Sequence, residues 1–226
     1  MNKLNSILLA VMALTILAFQ AKSDERSQLG GFIFSDYLQD AYKNYDAFLL
    51  KKRGEVEFES GAKPANCAEY LEALKTSEVR YGQYHRTMSC QFSGCVPAEI
   101  IKKGQPHAGY SPKSYSEELK NRFDFQSFRN SFRKRMEIDH KIRTMADLKS
   151  PFVKVVNPYM LVFEDADWYE QIELEADADL NGNGKPDWLI SVVEKAIGGT
   201  LFDCSVLIVY DVEPTGLLTA SEVPRQ

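Results

Sequence analysis

No apolar run in this chain reaches the roughly 20 residues that a helix needs to span a bilayer. The longest, Ile7 to Phe19, covers 13. Lys3 precedes it and the small residues of Ala21-Lys22-Ser23 follow, which is the layout of a cleaved secretory signal. Residues 1–23 are therefore expected to be removed, leaving a chain that begins near Asp24 with no membrane span. No cysteine lies near the cleavage region, which argues against a lipid anchor. HExxH, GxSxG and the glycine-rich phosphate loop with its lysine and hydroxyl are all missing, so the commonest zinc-protease, serine-hydrolase and nucleotide signatures are absent. With three histidines in the whole chain, imidazole chemistry has few places to sit.

Basic residues are scarce at one end. From residue 151 onward there are four, Lys154, Lys185, Lys195 and Arg225, against fourteen acids, a net of −10, while the remainder carries 23 against 18, a net of +5. Halves of opposite sign suit docking on each other. The densest basic patch, Phe128 to Arg135, interleaves Phe128 and Phe132 with arginines. An overall pI near 5.4 and the export signal speak against a nucleic-acid partner.

Four cysteines are present, Cys67, Cys90, Cys95 and Cys204. An even count in an exported chain points to two disulfides. Three pairings are open, and the short QFSG spacing favours Cys90 with Cys95, leaving Cys67 to tie the N-terminal half to Cys204. Cys90 as a nucleophile activated by His85 is the alternative role for that thiol.

Residues 24–150 read as mainly helical. Tyr37, Leu38, Ala41, Tyr45, Phe48 and Leu49 form an apolar stripe along Asp36 to Lys52, with Ser35 as its N-cap. Shorter helices fit Ala65 to Leu74 and Ser114 to Arg122, and a looser helical register runs from Asp124 to Leu148. Between them Lys102 to Ser114 holds two glycines and two prolines, the composition of a surface loop or hinge, with His107 on it as a surface side chain.

Residues 151–226 change to strand texture, with β-branched and aromatic runs at Phe152–Val156, Met160–Phe163, Tyr169–Ala176, Trp188–Ala196 and Thr200–Val212. Asn-Pro, Asn-Gly and Gly-Gly pairs separate them, which predicts an antiparallel meander. In the third run Tyr169, Gln171, Glu173 and Glu175 alternate with Ile172, Leu174 and Ala176, the pattern of a half-exposed strand. The expected fold class is α+β, a helical N-terminal half packed on a C-terminal antiparallel meander and tied by disulfides.

The turn between the third and fourth runs is the most specific feature. Asp177 to Trp188, DADLNGNGKPDW, sets oxygen-bearing side chains at alternate positions along a glycine turn. An EF-hand register from Asp177 fails, because its twelfth position is Trp188 instead of a bidentate glutamate. A register from Asp179 succeeds, with Asp179, Asn181 and Asn183 at positions one, three and five, Gly184 at six, the Lys185 carbonyl at seven and Asp187 at nine. The stretch DLNGNGKPDWLISVV, Asp179 to Val193, resembles the calcium loops of FG-GAP and VCBS repeats, in which a similar loop precedes an apolar strand. That resemblance implies calcium held by the side chains of Asp179, Asn181, Asn183 and Asp187 and the main chain of Lys185. It covers a single loop with no second copy, so a propeller, which needs several blades, is not expected.

Together these features predict an exported, periplasmic or secreted calcium-binding protein without catalytic residues, acting as a binding or structural module toward a protein or glycan of the cell envelope. The competing expectation is a small secreted hydrolase of envelope material, which would need titratable groups converging in a cleft between the halves.

Overall fold

The structure, a computed structural model, describes residues 32–80, 82–129 and 141–223; the signal segment, the basic run after Arg129 and His140 lie outside them, as does the side chain of His85. The helices are α1 (Asp36–Lys43), α2 (Tyr45–Leu50), α3 (Cys67–Leu74), α4 (Gln83–Ser89), α5 (Cys95–Ile101) and α6 (Tyr115–Arg122). Strands β1 (Val153–Asn157), β2 (Met160–Glu164), β3 (Trp168–Ala178), β4 (Asp187–Ala196), β5 (Phe202–Val209) and β6 (Ser221–Glu222) form one antiparallel sheet in sequence order. Among the described residues no helix is long and apolar enough to cross a membrane.

The α+β expectation holds, and its helical boundaries shift for local reasons. The first predicted helix splits at Asn44, whose φ of −123° and ψ of 43° leave helical space. Ser35 occupies the N-cap position of α1 but makes no capping bond with its side chain. By contrast, Asn66 caps α3 by accepting from the Glu69 N–H, and Ser114 caps α6 by accepting from that of Glu117. The expected helical register over Asp124 to Leu148 gives no helix among its described residues. Asp124 instead accepts the Gln126 N–H in a tight turn and pairs with Arg143.

The sheet is buried on both faces. On one, Ile172, Leu174, Trp168, Trp188 and Ile190 pack with Tyr115 and Leu119 of α6 and with Phe123, Phe125 and Phe128. On the other, Ala176, Ala178, Leu189 and Ile208 pack with Leu38, Phe48, Cys67 and Ile101 from the remaining helices. The strand expected to be half exposed has no exposed residue. A bulge at Glu175 accounts for this: Leu174 pairs with Ile190 but Ala176 pairs with Leu189, so the chain swaps faces between them. The ion pairs Arg80–Glu57, Lys103–Glu99 and Arg122–Glu118 stay within the N-terminal part and Lys185–Asp211 within the C-terminal part, while apolar packing, the Arg122 bonds to the Glu213 and Gly216 carbonyls and the Cys90–Cys204 bridge join the two.

Both disulfides form, but with different partners from those expected. Cys67 bonds Cys95 and Cys90 bonds Cys204, with Cα atoms 5.2 and 5.4 Å apart. Cys90 opens a 3₁₀ turn beside β5, whereas Cys95 opens α5 and points into the helical core, so the two diverge despite their short spacing. In the chain-entropy account, closing spans of 28 and 114 residues stabilises by roughly 3.5 and 5 kcal/mol. Peptide mapping without reduction is expected to recover Cys67–Cys95 and Cys90–Cys204 fragments. The Cys90→Ala/Cys204→Ala double variant should lose roughly 3–5 kcal/mol in denaturant melts.

Glu170 is completely buried on the α6 face beside its cross-strand neighbour Glu194. Burial foremost, then the Glu194 charge, raises its pKa well above the carboxylate range, and a Trp168 contact offsets part of this. The unfolded chain releases this proton near its ordinary pKa while the folded chain keeps it, so stability falls as pH rises above that range. Glu170→Gln is expected to make the pH dependence of unfolding shallower there, by up to about 1.4 kcal/mol per pH unit.

Candidate metal centre

Residues 179–186 connect β3 to β4, whose last pair is Ala178 with Asp187. Asp179 organises the turn. Its Oδ1 accepts the N–H groups of Gly182 at 2.7 Å and Asn183 at 3.1 Å, and its Oδ2 accepts that of Gly184 at 2.8 Å. Asn181 Oδ1 takes the Asn183 N–H at 3.1 Å, and Asn183 Oδ1 takes the Lys185 N–H at 2.9 Å. Such wrapping requires left-handed backbone at Gly182 and Gly184, both at φ +81°, with open space where a Cβ would sit. Burial pushes the Asp179 pKa up, but the N–H donors of Gly184, Gly182, Asn183 and Asn181 outweigh it and hold the carboxyl below its usual range.

Asp187 closes the loop from the β4 side. Its Oδ2 accepts the Leu180 N–H at 2.9 Å, its Oδ1 accepts the Asp211 N–H at 2.8 Å, and Asn181 Nδ2 approaches the same Oδ1 at 3.5 Å. Burial chiefly, with the charges of Asp211 and Asp179, raises its pKa against the pull of those N–H donors. The structure thus brings Asp179, Asn181, Asn183, Lys185 and Asp187 into one turn.

Sequence reasoning missed Asp211. Its carboxylate accepts from Asn183 Nδ2 at 2.6 Å and lies 3.3 Å from Lys185 Nζ, and its backbone adopts φ +52°, a region that aspartate tolerates. The signal for it is one of register: β5 pairs Val209 with Trp188, which returns the chain two residues later to the mouth of the hairpin. That pairing is invisible without the strand alignment.

The segment from Lys102 to Ser114, expected as a surface loop, is an irregular and largely exposed strap laid on this hairpin. Gln105 and Asp179 exchange two backbone hydrogen bonds of 2.9 Å. Gly109 lies so close to Pro186 that a Cβ there would stand 2.5 Å from its Cδ. His107, expected on the surface, is buried, and its Nε2 faces Asp177 Oδ1 at 2.8 Å, outside good hydrogen-bond alignment. The Gly109 N–H donates to Nδ1, which assigns the ring proton to Nε2 on the Asp177 side. Asp177 Oδ2 accepts the Tyr115 hydroxyl at 2.7 Å, and the Tyr115 ring stands edge-on to Trp188.

The side chains of this turn offer carboxylate and amide oxygens, which here accept backbone N–H groups. Among the described residues no three carboxylate, imidazole or thiol side chains form a metal-holding group, so an ion here relies on amide and main-chain oxygens as well. That donor set suits calcium, which takes six to eight oxygens, and not zinc or copper. Each carboxylate or amide oxygen that already accepts one N–H retains further lone-pair capacity. The alternative thiol chemistry fails, because Cys90 is bonded to Cys204. Glu170 and Glu194, a pair of neighbouring acids, are sealed in the core, out of reach of a glycan. No protein-family profile, curated protein or solved structure matches the chain.

Asp179 holds the turn whether or not an ion is bound, because three N–H groups depend on it. Asp179→Ala is expected to cost roughly 3 kcal/mol in denaturant melts run with chelator, and Asp179→Asn, which keeps one acceptor oxygen, about half that.

Proposed function

We propose that the protein is an exported calcium-binding module of the cell envelope, periplasmic or secreted, that binds a protein or glycan partner without catalysis. The observation that carries this reading is the turn on Asp179, where the side chains of Asp179, Asn181, Asn183 and Asp187 stand on one short loop closed by backbone hydrogen bonds, and the resemblance adds the Lys185 carbonyl to them. The match of this register to FG-GAP-type loops supports the same ion. The two disulfides agree with an oxidising compartment.

Calcium supplies positive charge between carboxylates that otherwise repel one another. Asp187 is the group that feels this most, raised by burial and by its acidic neighbours. Asp211 adds a third carboxylate near the loop, and Lys185 Nζ already neutralises part of it. Affinity in the range of roughly 10⁻⁴ to 10⁻³ M, as for extracellular modules, follows from so few carboxylates. The ion acts as a clip: Asp179 and Asp187 belong to the β3–β4 hairpin, and Asp211 extends the tie to the chain leaving β5.

Thermal melts test this. At ten times the dissociation constant, calcium should stabilise the wild type by about 1.4 kcal/mol, a rise of roughly 3–5 °C over the chelated protein, with magnesium giving less. Asp187→Asn removes the charge and keeps acceptor oxygen for only one of the Leu180 and Asp211 N–H groups, which use different carboxylate oxygens. Its chelated melt is expected to lie roughly 1–2 kcal/mol below the wild type, and its calcium increment to vanish. Coincident wild-type curves with calcium and chelator at millimolar concentration would overturn the reading.

A further inference from the structure

On the sheet face opposite Asp177 a cavity of about 700 Å³ opens between α2, α3, α5 and β5. Ligand sites commonly have volumes of roughly 300–1,000 Å³, with apolar walls and few polar groups. The walls here fit that description, with Leu71 and Leu74 from α3, Val96 and Ile100 from α5, Phe92 as part of the floor and Val206 from β5. Most of these side chains are only partly buried against the helical core, so a ligand entering the cavity would remove apolar surface from water.

Charges around the cavity decide which head group it takes. Glu72 bonds Lys75 at 2.6 Å, Arg80 bonds Glu57 at 2.5 Å, and Glu99 receives the Tyr45 hydroxyl and pairs with Lys103 at 3.1 Å. Glu78 is engaged within the chain as well. Arg129, exposed and lining the same cavity, is the exception: among the described residues its guanidinium has no hydrogen-bonding or ionic partner. The uncompensated charge at the cavity is therefore positive, beside a wall built from leucine and valine.

We propose that this cavity binds a single-chain anionic amphiphile, with the chain against Leu71, Leu74, Val96 and Val206 and the carboxylate, sulfate or phosphate head at Arg129. A planar guanidinium accepts such oxyanions in two-pronged fashion, which a neutral or cationic head cannot exploit. Each buried methylene is worth about 0.8 kcal/mol, so affinity should climb roughly fourfold per carbon while the chain still finds wall. The inference is independent of the calcium loop, which lies elsewhere in the molecule.

Isothermal titration in chelator, which also keeps fatty acid salts in solution, tests it with octanoate, decanoate, dodecanoate and dodecyltrimethylammonium, each below its micelle concentration. Dodecanoate is expected to bind one to one, each carbon beyond octanoate strengthening binding several-fold, and the cationic amphiphile at least tenfold weaker. Arg129→Glu should weaken dodecanoate roughly tenfold while leaving thermal stability unchanged. Val96→Trp, which fills the cavity, should abolish binding; Leu71→Trp serves the same purpose from α3 if the first variant fails to fold. Absence of saturable binding, equal affinity for the two head groups, or full affinity in a folded tryptophan variant would each overturn the proposal.

Discussion

The bulge at Glu175 is the constraint on which the rest of the molecule turns. A strand of eleven residues in plain alternation would send Ile172, Leu174, Ala176 and Ala178 to a single face. One extra residue divides it, so the first two join the α6 core and the last two join the helical core. The sheet can then be buried on both sides by a chain of modest length. The same shift turns Asp177 toward Trp188, Tyr115 and His107, where its carboxylate meets the strap, and starts the metal-type turn two residues later. Bulges bend strands and re-aim side chains, and here one bulge sets both the layering and the position of the candidate site.

How the acidic half tolerates its charge follows from this layering. Among the described residues, the ion pairs of Lys75, Arg80, Lys103 and Arg122 serve carboxylates of the N-terminal part. The acids of β3 and its turn are managed individually. Burial raises the pKa of Glu170 well above the carboxylate range, Asp177 accepts from Tyr115 and faces His107, and Asp179 is solvated by backbone N–H groups. Three physical solutions, desolvation, a local polar partner and oriented peptide dipoles, act within ten residues of one strand. Exposed surface pairs would contribute little by comparison.

Strand content was legible in the sequence because β-branched runs and Asn-Gly or Gly-Gly turns are local signals, and β1 to β5 each match one expected run to within two residues at the ends of β1 to β4. The two-residue β6 and the helices α4 and α5 carry no such signal; α5 includes Pro97 and takes its stability from packing and from Cys95. The turn on Asp179 was legible because its Asn-Gly pairs and oxygen-bearing side chains are spaced along one segment. Asp211, the buried His107 and the true disulfide partners were not, since each depends on a distant segment arriving at a given strand position. The QFSG spacing misled because proximity in sequence says nothing about side-chain direction across a 3₁₀ turn followed by a helix.

The turn is already shaped by the protein alone, and that bears on what an ion does there. Asp179 gathers three N–H groups, Asn181 and Asn183 each take one more, and the strap fixes the entry of the loop through Gln105 and Gly109. Little backbone entropy remains for a cation to remove, so binding need not drive folding as it does in small zinc domains. The remaining electrostatic strain sits on Asp187, between Asp179 and Asp211. A cation at this position would therefore act by relieving repulsion across the joint of β3, β4 and the segment after β5, which makes it a tuner of local stability within an already folded sheet.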